Sequence, residues 1–264
     1  MRVVTANVNG IRAAQRRGGL EWLAEQDADV VAMQEVRATP KQFATALGGS
    51  ALEEYALAHA ESATAGREGV AILTRHAMAT PVTVIDGFDE VGRWVEADVT
   101  IDGHTVTIAS VYVHTGEVDT DKQVAKYRFL DAVEARMARL VERPALVMGD
   151  FNVAHGQNDL KNWKGNRGKA GFLPDEQSYL TRFGESGWVD VVRRHHGDVP
   201  GPYTWWSWRG KAFDNDAGWR IDYQFASPAL AAVASDPRVG RADAYDQRWS
   251  DHAAVIVDYD LTTL

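Results

Sequence analysis

The sequence contains no cysteine in its 264 residues, which excludes disulfide bonds and thiolate metal centres. It also lacks any stretch near the roughly eighteen consecutive apolar residues needed to cross a bilayer, so we expect no membrane association. The opening segment, MRVVTANVNGIR, does not contain the apolar core of a signal peptide. These absences fit a reducing compartment, and we expect a cytoplasmic protein.

An excess of positive charge is absent as well. The chain has 28 Lys and Arg residues against 37 Asp and Glu, which gives a net charge of −9. A protein that binds nucleic acid by electrostatic attraction alone would be basic, so this class is disfavoured. An enzyme that gathers carboxylates around a divalent cation can still be acidic overall. Any DNA-binding face would then be a local basic patch.

The composition is that of a globular protein, with 45% hydrophobic and 25% charged residues. No low-complexity segment and no linker rich in proline, glycine or serine divides the chain. We therefore expect a single domain spanning residues 1–264. Nothing in the sequence requires more than a monomer.

Short apolar runs rich in valine and isoleucine predict β-strands. They occupy residues 2–8, 29–36, 69–75, 93–101, 105–113, 145–151, 220–227 and 253–259. Apolar residues at three- and four-residue steps predict helices over 120–142, with Val124 on the packed face, and from 173. Consecutive strands between 54 and 113 favour antiparallel pairing. We therefore expect mixed sheets packed face to face and covered by helices, an α/β sandwich.

Polar side chains recur at the ends of these runs, where amides and carboxylates are poor strand formers. Each one alone is most simply a turn residue, and the lone histidine is most simply structural. Their recurrence at one position in strand after strand instead predicts a shared pocket. The residues concerned are Asn7, Asn9, Glu35, Tyr112, Asp150, Asn152, Asp222, Asp251 and His252.

Oxygen ligands without cysteine point to a hard cation, Mg²⁺ or Mn²⁺. Glu35 is the best single ligand candidate, with Asn7 and Asp251 around it. Phosphodiester hydrolysis needs an activated water, charge stabilisation at phosphorus and help for the leaving oxygen. The side chains available for these tasks are those of Tyr112, Asp150, Asn152 and His252.

Asp251 and His252 are neighbours in sequence, but neighbouring residues of a strand point to opposite faces. Asp251 is therefore badly placed to orient the imidazole beside it. Asp222 interrupts an apolar run, where a charge is costly unless it is paired. We predict that His252 is held by Asp222.

Several motifs occur in one order along the chain: NVNGIR, QEV, GVAILTR, VYVHTGE, VMGDFNVAH, GWRIDY and SDHAAV. Together they resemble the exonuclease III family of abasic-site endonucleases, over about residues 1 to 259. GDFN with a later SDH is shared by the endonuclease/exonuclease/phosphatase superfamily, whereas DLKNWKGNRGKAGFLPDE (159–176) and GWRIDY are typical of its DNA-repair branch. The resemblance implies a four-layered DNase I-like α/β sandwich.

The resemblance also implies roles for individual residues. The metal site would include Asn7, Glu35 and Asp251, and both Asp150 and Asn152 match residues variously given ligand and catalytic roles. Asp222 and His252 match the family's Asp–His pair, and Tyr112 matches a tyrosine near the phosphate. The implied catalytic set is Tyr112, Asp150, Asn152, Asp222 and His252, and the implied metal set is Asn7, Glu35, Asp150, Asn152 and Asp251.

The implied DNA contacts lie in two segments. Trp205, Trp219 and Ile221 match the apolar pocket that receives a baseless sugar, and Asn166 matches a phosphate-contacting asparagine. Lys169 stands where one branch of the family has a second asparagine, and we include it among the DNA-binding residues. The chain also differs from some members by having Asn9 in place of a metal-binding aspartate. The loop TGEVDTD (115–121) lacks an arginine that one branch inserts into DNA.

Nine tryptophans are present, and four fall within fifteen residues, interleaved with Arg209, Lys211 and Arg220. Core packing explains some of them. Aromatic rings beside cations also suit unstacked nucleotides and their phosphates. A second basic run comprises Lys161, Lys164, Arg167 and Lys169.

We therefore expect a Mg²⁺-dependent DNA-repair nuclease that cuts 5′ to abasic sites in double-stranded DNA and acts as a 3′–5′ exodeoxyribonuclease that also cleans 3′ ends. One alternative is a superfamily phosphoesterase acting on RNA, a phospholipid or an inositol phosphate. The other is a nucleic-acid-binding module without catalysis, although every candidate catalytic position is filled.

Overall fold

A computed structural model describes residues 1–89 and 91–264. Over these residues twelve strands form two sheets of six, and both sheets are mixed. The strands are β1 Arg2–Asn7, β2 Val30–Gln34, β3 Ala56–Ala60, β4 Val70–Thr74, β5 Ala77–Met78, β6 Trp94–Ile101, β7 His104–Tyr112, β8 Ala145–Asp150, β9 Val189–Asp190, β10 Asp222–Ala226, β11 Ala234–Gly240 and β12 Ala254–Tyr259.

The helices are α1 Ile11–Arg16, α2 Gly19–Glu25, α3 Pro40–Leu47, α4 Asp121–Leu140, α5 Trp163–Asn166, α6 Pro174–Glu185, α7 Val191–His196 and α8 Pro228–Ala232. The outer face of one sheet is covered by α1–α3 and that of the other by α4 and α6, whereas α7 and α8 pack against the core between the sheets. In the part of the chain given above, none is both long and apolar enough to cross a membrane.

Successive side chains of a strand point to opposite faces of its sheet. Each sheet therefore presents one apolar face to the other sheet and one to the helices. In β1, Val3 joins the core between the two sheets, whereas Val4 joins the core beneath α1–α3. In β8, Met148 faces the inter-sheet core and Val147 faces α4 and α6. The predicted four-layered α/β sandwich is confirmed.

Each sheet has one parallel pair at its centre, β1 with β2 and β7 with β8. β12 runs antiparallel to β1, and β10 runs antiparallel to β8. The carboxyl ends of the parallel strands therefore lie at the same edge as the amino ends of β12 and β10. This edge collects the polar residues that the sequence places at strand ends.

The expected antiparallel pairing of the strands between 54 and 113 is confirmed, with β3 and β4 in one sheet and β5, β6 and β7 in the other. Two structural expectations need correction. Val124 is 56% exposed, because the buried face of α4 is rotated towards Gln123 and Lys126. Asp222 is the first residue of β10 and does not interrupt it; it lies opposite Asp150.

Candidate active site

A cavity of about 380 Å³ opens at the strand edge just described. Residues from both sheets line it, so the site lies where the two sheets meet. Ten of the residues singled out in the sequence are among them: Asn9, Glu35, Tyr112, Asp150, Asn152, Trp205, Trp219, Ile221, Asp251 and His252. Asn7 and Asp222 lie directly behind this wall, hydrogen-bonded to residues in it.

The acidic centre of the site is joined by one buried amide. Asn7 Nδ2 donates to Glu35 Oε1 at 2.8 Å and to Asp150 Oδ2 at 2.9 Å. Ligand atoms of Glu35, Asp150 and His252 lie within 4.8 Å of one another. The two carboxylates at this spacing match the oxygen ligands that Mg²⁺ and Mn²⁺ take.

Arg37 is a member of the site that the sequence reasoning missed. Its guanidinium forms an ion pair with Glu35 and lines the cavity. Both residues have positive φ, 50° at Glu35 and 51° at Arg37, in the turn after β2. The sequence signal for Arg37 was its position two residues after Glu35 in QEVR. That spacing does not show that the backbone turns here and brings the two side chains into contact.

Asp251 lines the same cavity and is anchored by two donors. Asn9 Nδ2 donates to Asp251 Oδ1 at 2.7 Å, and Trp205 Nε1 donates to Oδ2 at 3.1 Å. Asn9 thus contacts a predicted ligand. The assignment of Asp251 as a metal ligand stays a prediction.

The predicted contact between Asp222 and His252 is present. His252 Nδ1 lies 2.9 Å from Asp222 Oδ2, and the backbone amide of Asp222 donates to Thr204 Oγ1 at 3.2 Å. His252 Nε2 lies 3.8 Å from Asp150 Oδ2. The imidazole therefore stands between two buried carboxylates, with Nε2 directed towards the acidic centre.

Burial and charge act together on these titrating groups. Burial lowers the pKa of His252, but the negative charges of Asp222 and Asp150 outweigh it and raise that pKa to about 10. Burial raises the pKa of Asp150 to about 8; His252 opposes this shift, while Asp222 and Glu35 add to it. Burial also raises the pKa of Tyr112, as do the nearby charges of Glu35 and Asp150.

Asn152 is fixed by the turn that follows β8. Its backbone amide donates to Asp150 Oδ1 at 2.8 Å, and its side-chain Nδ2 donates to Val113 O at 2.8 Å and to Asp150 Oδ2 at 3.0 Å. The positive φ of Asn152, 50°, suits an asparagine in such a turn. The side chain is therefore held against Asp150.

An apolar wall adjoins these polar groups in the cavity. The Trp205 and Trp219 rings meet edge to face with centroids 6.3 Å apart, and Ile221 is buried beside them. Gly171 completes the wall: a Cβ there would lie 3.1 Å from the Trp219 ring. The cavity thus has one charged side and one aromatic side.

The other predicted DNA-binding residues lie elsewhere. Asn166 is half-buried and donates to Asn162 O at 2.9 Å, and Lys169 is exposed. Within residues 1–89 and 91–264, neither is among those lining the cavity. They belong to the exposed basic run at 161–169, whose Arg167 stacks on Trp163 with its guanidinium 4.4 Å from the ring centroid.

The tryptophan-rich segment divides between two roles. Arg209 and Lys211 are exposed, as a DNA-facing patch requires. Arg220 is not available for it, because it is fully buried and pairs with Asp159 and Asp190 at 2.6 Å each. Trp206 is also buried. The interpretation of Arg220 as part of a DNA-facing patch is therefore wrong.

Comparisons with known proteins agree with this geometry. A family model described as Endonuclease/Exonuclease/phosphatase family matches residues 4–252. An exodeoxyribonuclease of Bacillus subtilis is 32% identical over 262 residues, covering 97% of this chain and 98% of that protein.

Two solved structures share the fold over nearly their whole length. An AP endonuclease from Archaeoglobus fulgidus has a TM-score of 0.85 and 26% identity, covering 99% of this chain and 100% of that one. A variant of the 3′ phosphatase NExo from Neisseria, bound to a product DNA hairpin, has a TM-score of 0.84 and 26% identity, covering 98% and 99%.

Proposed function

Because this chain belongs to the Endonuclease/Exonuclease/phosphatase family, we propose that it is a DNA-repair nuclease that uses Mg²⁺ to hydrolyse the phosphodiester 5′ to abasic sites in double-stranded DNA. It would also remove nucleotides and blocking groups from 3′ ends, as the names of its relatives suggest. It would act as a single domain, since residues from Asn9 to His252 line one cavity, and as a monomer.

The observation that carries this proposal is the two-sided cavity. Its charged side supports binding of a phosphate beside a cation, and its aromatic side supports binding of a sugar without a base. An abasic nucleotide costs the least to extrude from the stack, which favours it as the substrate. Asn166 and Lys169, with the exposed basic run around them, would contact the flanking phosphates.

The residues that fit a cation are Glu35 and Asp150, joined by Asn7, with Asn152 and Asp251 beside them. A bound Mg²⁺ would neutralise phosphate charge and polarise the phosphorus centre; Mn²⁺ would substitute for it. The fit is supported by the carboxylate oxygens of Glu35 and Asp150, which converge with a ring nitrogen of His252 within 4.8 Å.

The protein's own groups would complete the hydrolysis. Water forms the new bond to phosphorus as the bond to the 3′ oxygen breaks. His252, kept as an imidazolium by Asp222 and Asp150, would donate Nε2–H to a phosphate oxygen. Asp150 would exchange a proton near neutral pH, which is what a general acid or base needs. Tyr112 would donate its hydroxyl to the phosphate.

The deciding experiment uses a labelled duplex with one central abasic site, incubated with the protein and Mg²⁺. We expect a single cut on the 5′ side of the site and its loss on addition of a chelator. The same duplex without the lesion measures exonuclease activity from the 3′ end. An RNA of the same sequence and an inositol phosphate test the alternative substrates. Faster hydrolysis of either, or no chelator-sensitive cut at the lesion, would contradict the proposal.

Cation binding at this site is expected to weaken as the pH falls from 8 to 6. Because the pKa of Asp150 is raised to about 8, its carboxyl is largely protonated at pH 6, and a cation must displace that proton. For one proton, the affinity should fall by roughly ten- to a hundredfold over this interval. Calorimetric titration with Mn²⁺ in two buffers of different ionisation enthalpy measures both the affinity and the proton release.

The control for this titration is an Asp150→Asn variant, in which the release of the proton should disappear. An affinity for Mn²⁺ that is the same at pH 6 and pH 8 in the wild-type protein would show that Asp150 does not share the cation site.

A further inference from the structure

A buried ion pair lies beneath the cavity, outside the set of residues considered so far. Lys126 of α4 and Glu176 of α6 are both fully buried, and Lys126 Nζ lies 2.7 Å from Glu176 Oε1. Gln123 Nε2 donates to the same Glu176 oxygen at 3.0 Å. Burying two full charges is unfavourable unless their remaining hydrogen-bonding positions are satisfied. The groups that satisfy those positions therefore indicate what the ion pair does in this protein.

The free positions of both partners are directed at segments that line the cavity. Lys126 Nζ donates to the backbone carbonyl of Asn152 at 2.9 Å. Glu176 Oε2 accepts from the backbone amides of Gly171 at 2.6 Å and Leu173 at 3.1 Å. One charge pair thus holds the turn after β8 and the loop before α6.

These two segments also contact each other and the aromatic wall. The Ala154 amide donates to Gly171 O at 2.8 Å. A Cβ on Gly171 would lie 3.3 Å from Asn152 O and 3.1 Å from the Trp219 ring. Moving Gly171 would therefore move the aromatic sugar pocket, which is formed by Trp205, Trp219 and Ile221, relative to Asn152.

Joining the two helices does not by itself require a buried pair. Arg182 of α6 and Glu134 of α4 already bridge the same helices at the surface, with contacts of 2.7 and 2.9 Å. Apolar residues in place of Lys126 and Glu176 would pack α4 on α6 without the cost of burying charge. Such apolar residues could not form the hydrogen bonds to the Asn152 carbonyl and the Gly171 amide.

We propose that Lys126 and Glu176 are positioning residues that set the distance between Asn152 and the aromatic sugar pocket. The proposal rests on the function proposed above, because the distance matters only if Asn152 acts on a phosphate whose sugar occupies that pocket. Lys126 acts through the carbonyl of Asn152, and Glu176 acts through the amide of Gly171.

The test compares Lys126→Met, Glu176→Gln and the double variant in thermal melting and in cleavage of abasic duplex DNA. Each single variant leaves one buried partner unpaired and should lose stability. The double variant should regain most of the melting temperature, while its kcat stays at least about tenfold below wild type with a small change in KM. Methionine has no donor for the Asn152 carbonyl, so restored packing does not restore the position of Asn152.

The matched control is Arg182→Met with Glu134→Gln, which removes the other pair between the same helices and should change kcat less than about twofold. A double variant at 126 and 176 whose kcat returns to the wild-type value together with its melting temperature would overturn the proposal. If that double variant does not fold, Lys126→Met alone decides the question at temperatures below its own melting transition. Because methionine cannot donate to the Asn152 carbonyl, its kcat should be at least about tenfold below wild type, and a kcat within about twofold of wild type would overturn the proposal.

A readout without DNA separates this proposal from the proposed function. The side-chain amide signal of Asn152 in an ¹⁵N spectrum should shift in the variants at 126 and 176 and stay in place in the control. An unchanged Asn152 signal would contradict the positioning role even in an active enzyme. A wild-type protein that cuts no abasic DNA, with the Asn152 signal shifted in the variants, would contradict the proposed function alone.

Discussion

A His252→Ala variant is expected to cleave abasic duplex DNA with a kcat about 10³-fold below wild type, because alanine cannot donate to the phosphate. The loss should appear in kcat at saturating Mg²⁺, since the proposed hydrogen bond strengthens as charge develops on phosphorus. Single-turnover cleavage of a labelled duplex measures it. A kcat within tenfold of wild type would remove His252 from the reaction.

Folding has to be separated from chemistry in this experiment. Removing His252 leaves Asp222 buried without its partner, which costs about 3–5 kcal/mol in comparable buried pairs. The double variant Asp222→Asn with His252→Ala should recover much of that stability without recovering turnover. His76→Ala provides a matched control, because His76 also contacts an aspartate, with Nε2 2.8 Å from Asp29 Oδ1, but lies outside the cavity.

An Asp150→Asn variant is expected to lose about 10³-fold in kcat, through the loss of a cation ligand and of a group that exchanges protons near neutral pH. The substitution also removes a negative charge beside the His252 imidazolium, so the pKa of His252 should fall. Histidine ring signals followed by NMR across a pH titration measure that pKa, and quenched-flow cleavage measures kcat.

The control for Asp150 is a carboxylate of similar burial far from the cavity. Glu96 is 4% exposed and pairs with Arg136, and Glu96→Gln should reduce stability while leaving kcat within about twofold of wild type. An Asp150→Asn enzyme with near-normal turnover, or with an unshifted pKa of His252, would contradict the arrangement proposed for the site.

The sequence located the edge of the sheets where the site lies because strand ends carry a local signal. Asn7, Asp150 and Asp222 each stand next to an apolar run that cannot tolerate an unpaired charge or amide. The same reasoning paired Asp222 with His252, since a buried carboxylate needs a partner. Strand period and sequence order were enough for these predictions.

Other parts of the structure depend on contacts that no local pattern reports. Val124 fits the helical period of α4, yet it is exposed, whereas Lys126 is buried because its partner Glu176 is supplied by α6. The edge strand β11, ASDPRVG, was missed because charges and a proline are what exposed edges carry. Arg220 looked like a surface cation because Asp159 and Asp190 are distant in sequence.

The cavity lies where the two sheets meet, and this position determines when, during synthesis of the chain, the site can form. Ser250 Oγ donates to Asn7 O at 2.7 Å although the two residues are 243 positions apart in sequence, and β12 pairs directly with β1. A chain still on the ribosome therefore holds Glu35 and Asp150 without His252 until residues 250–259 have emerged. With the role proposed for His252, an incomplete nascent protein would carry no competent phosphodiesterase centre, and activity would begin only after the first and last strands have joined.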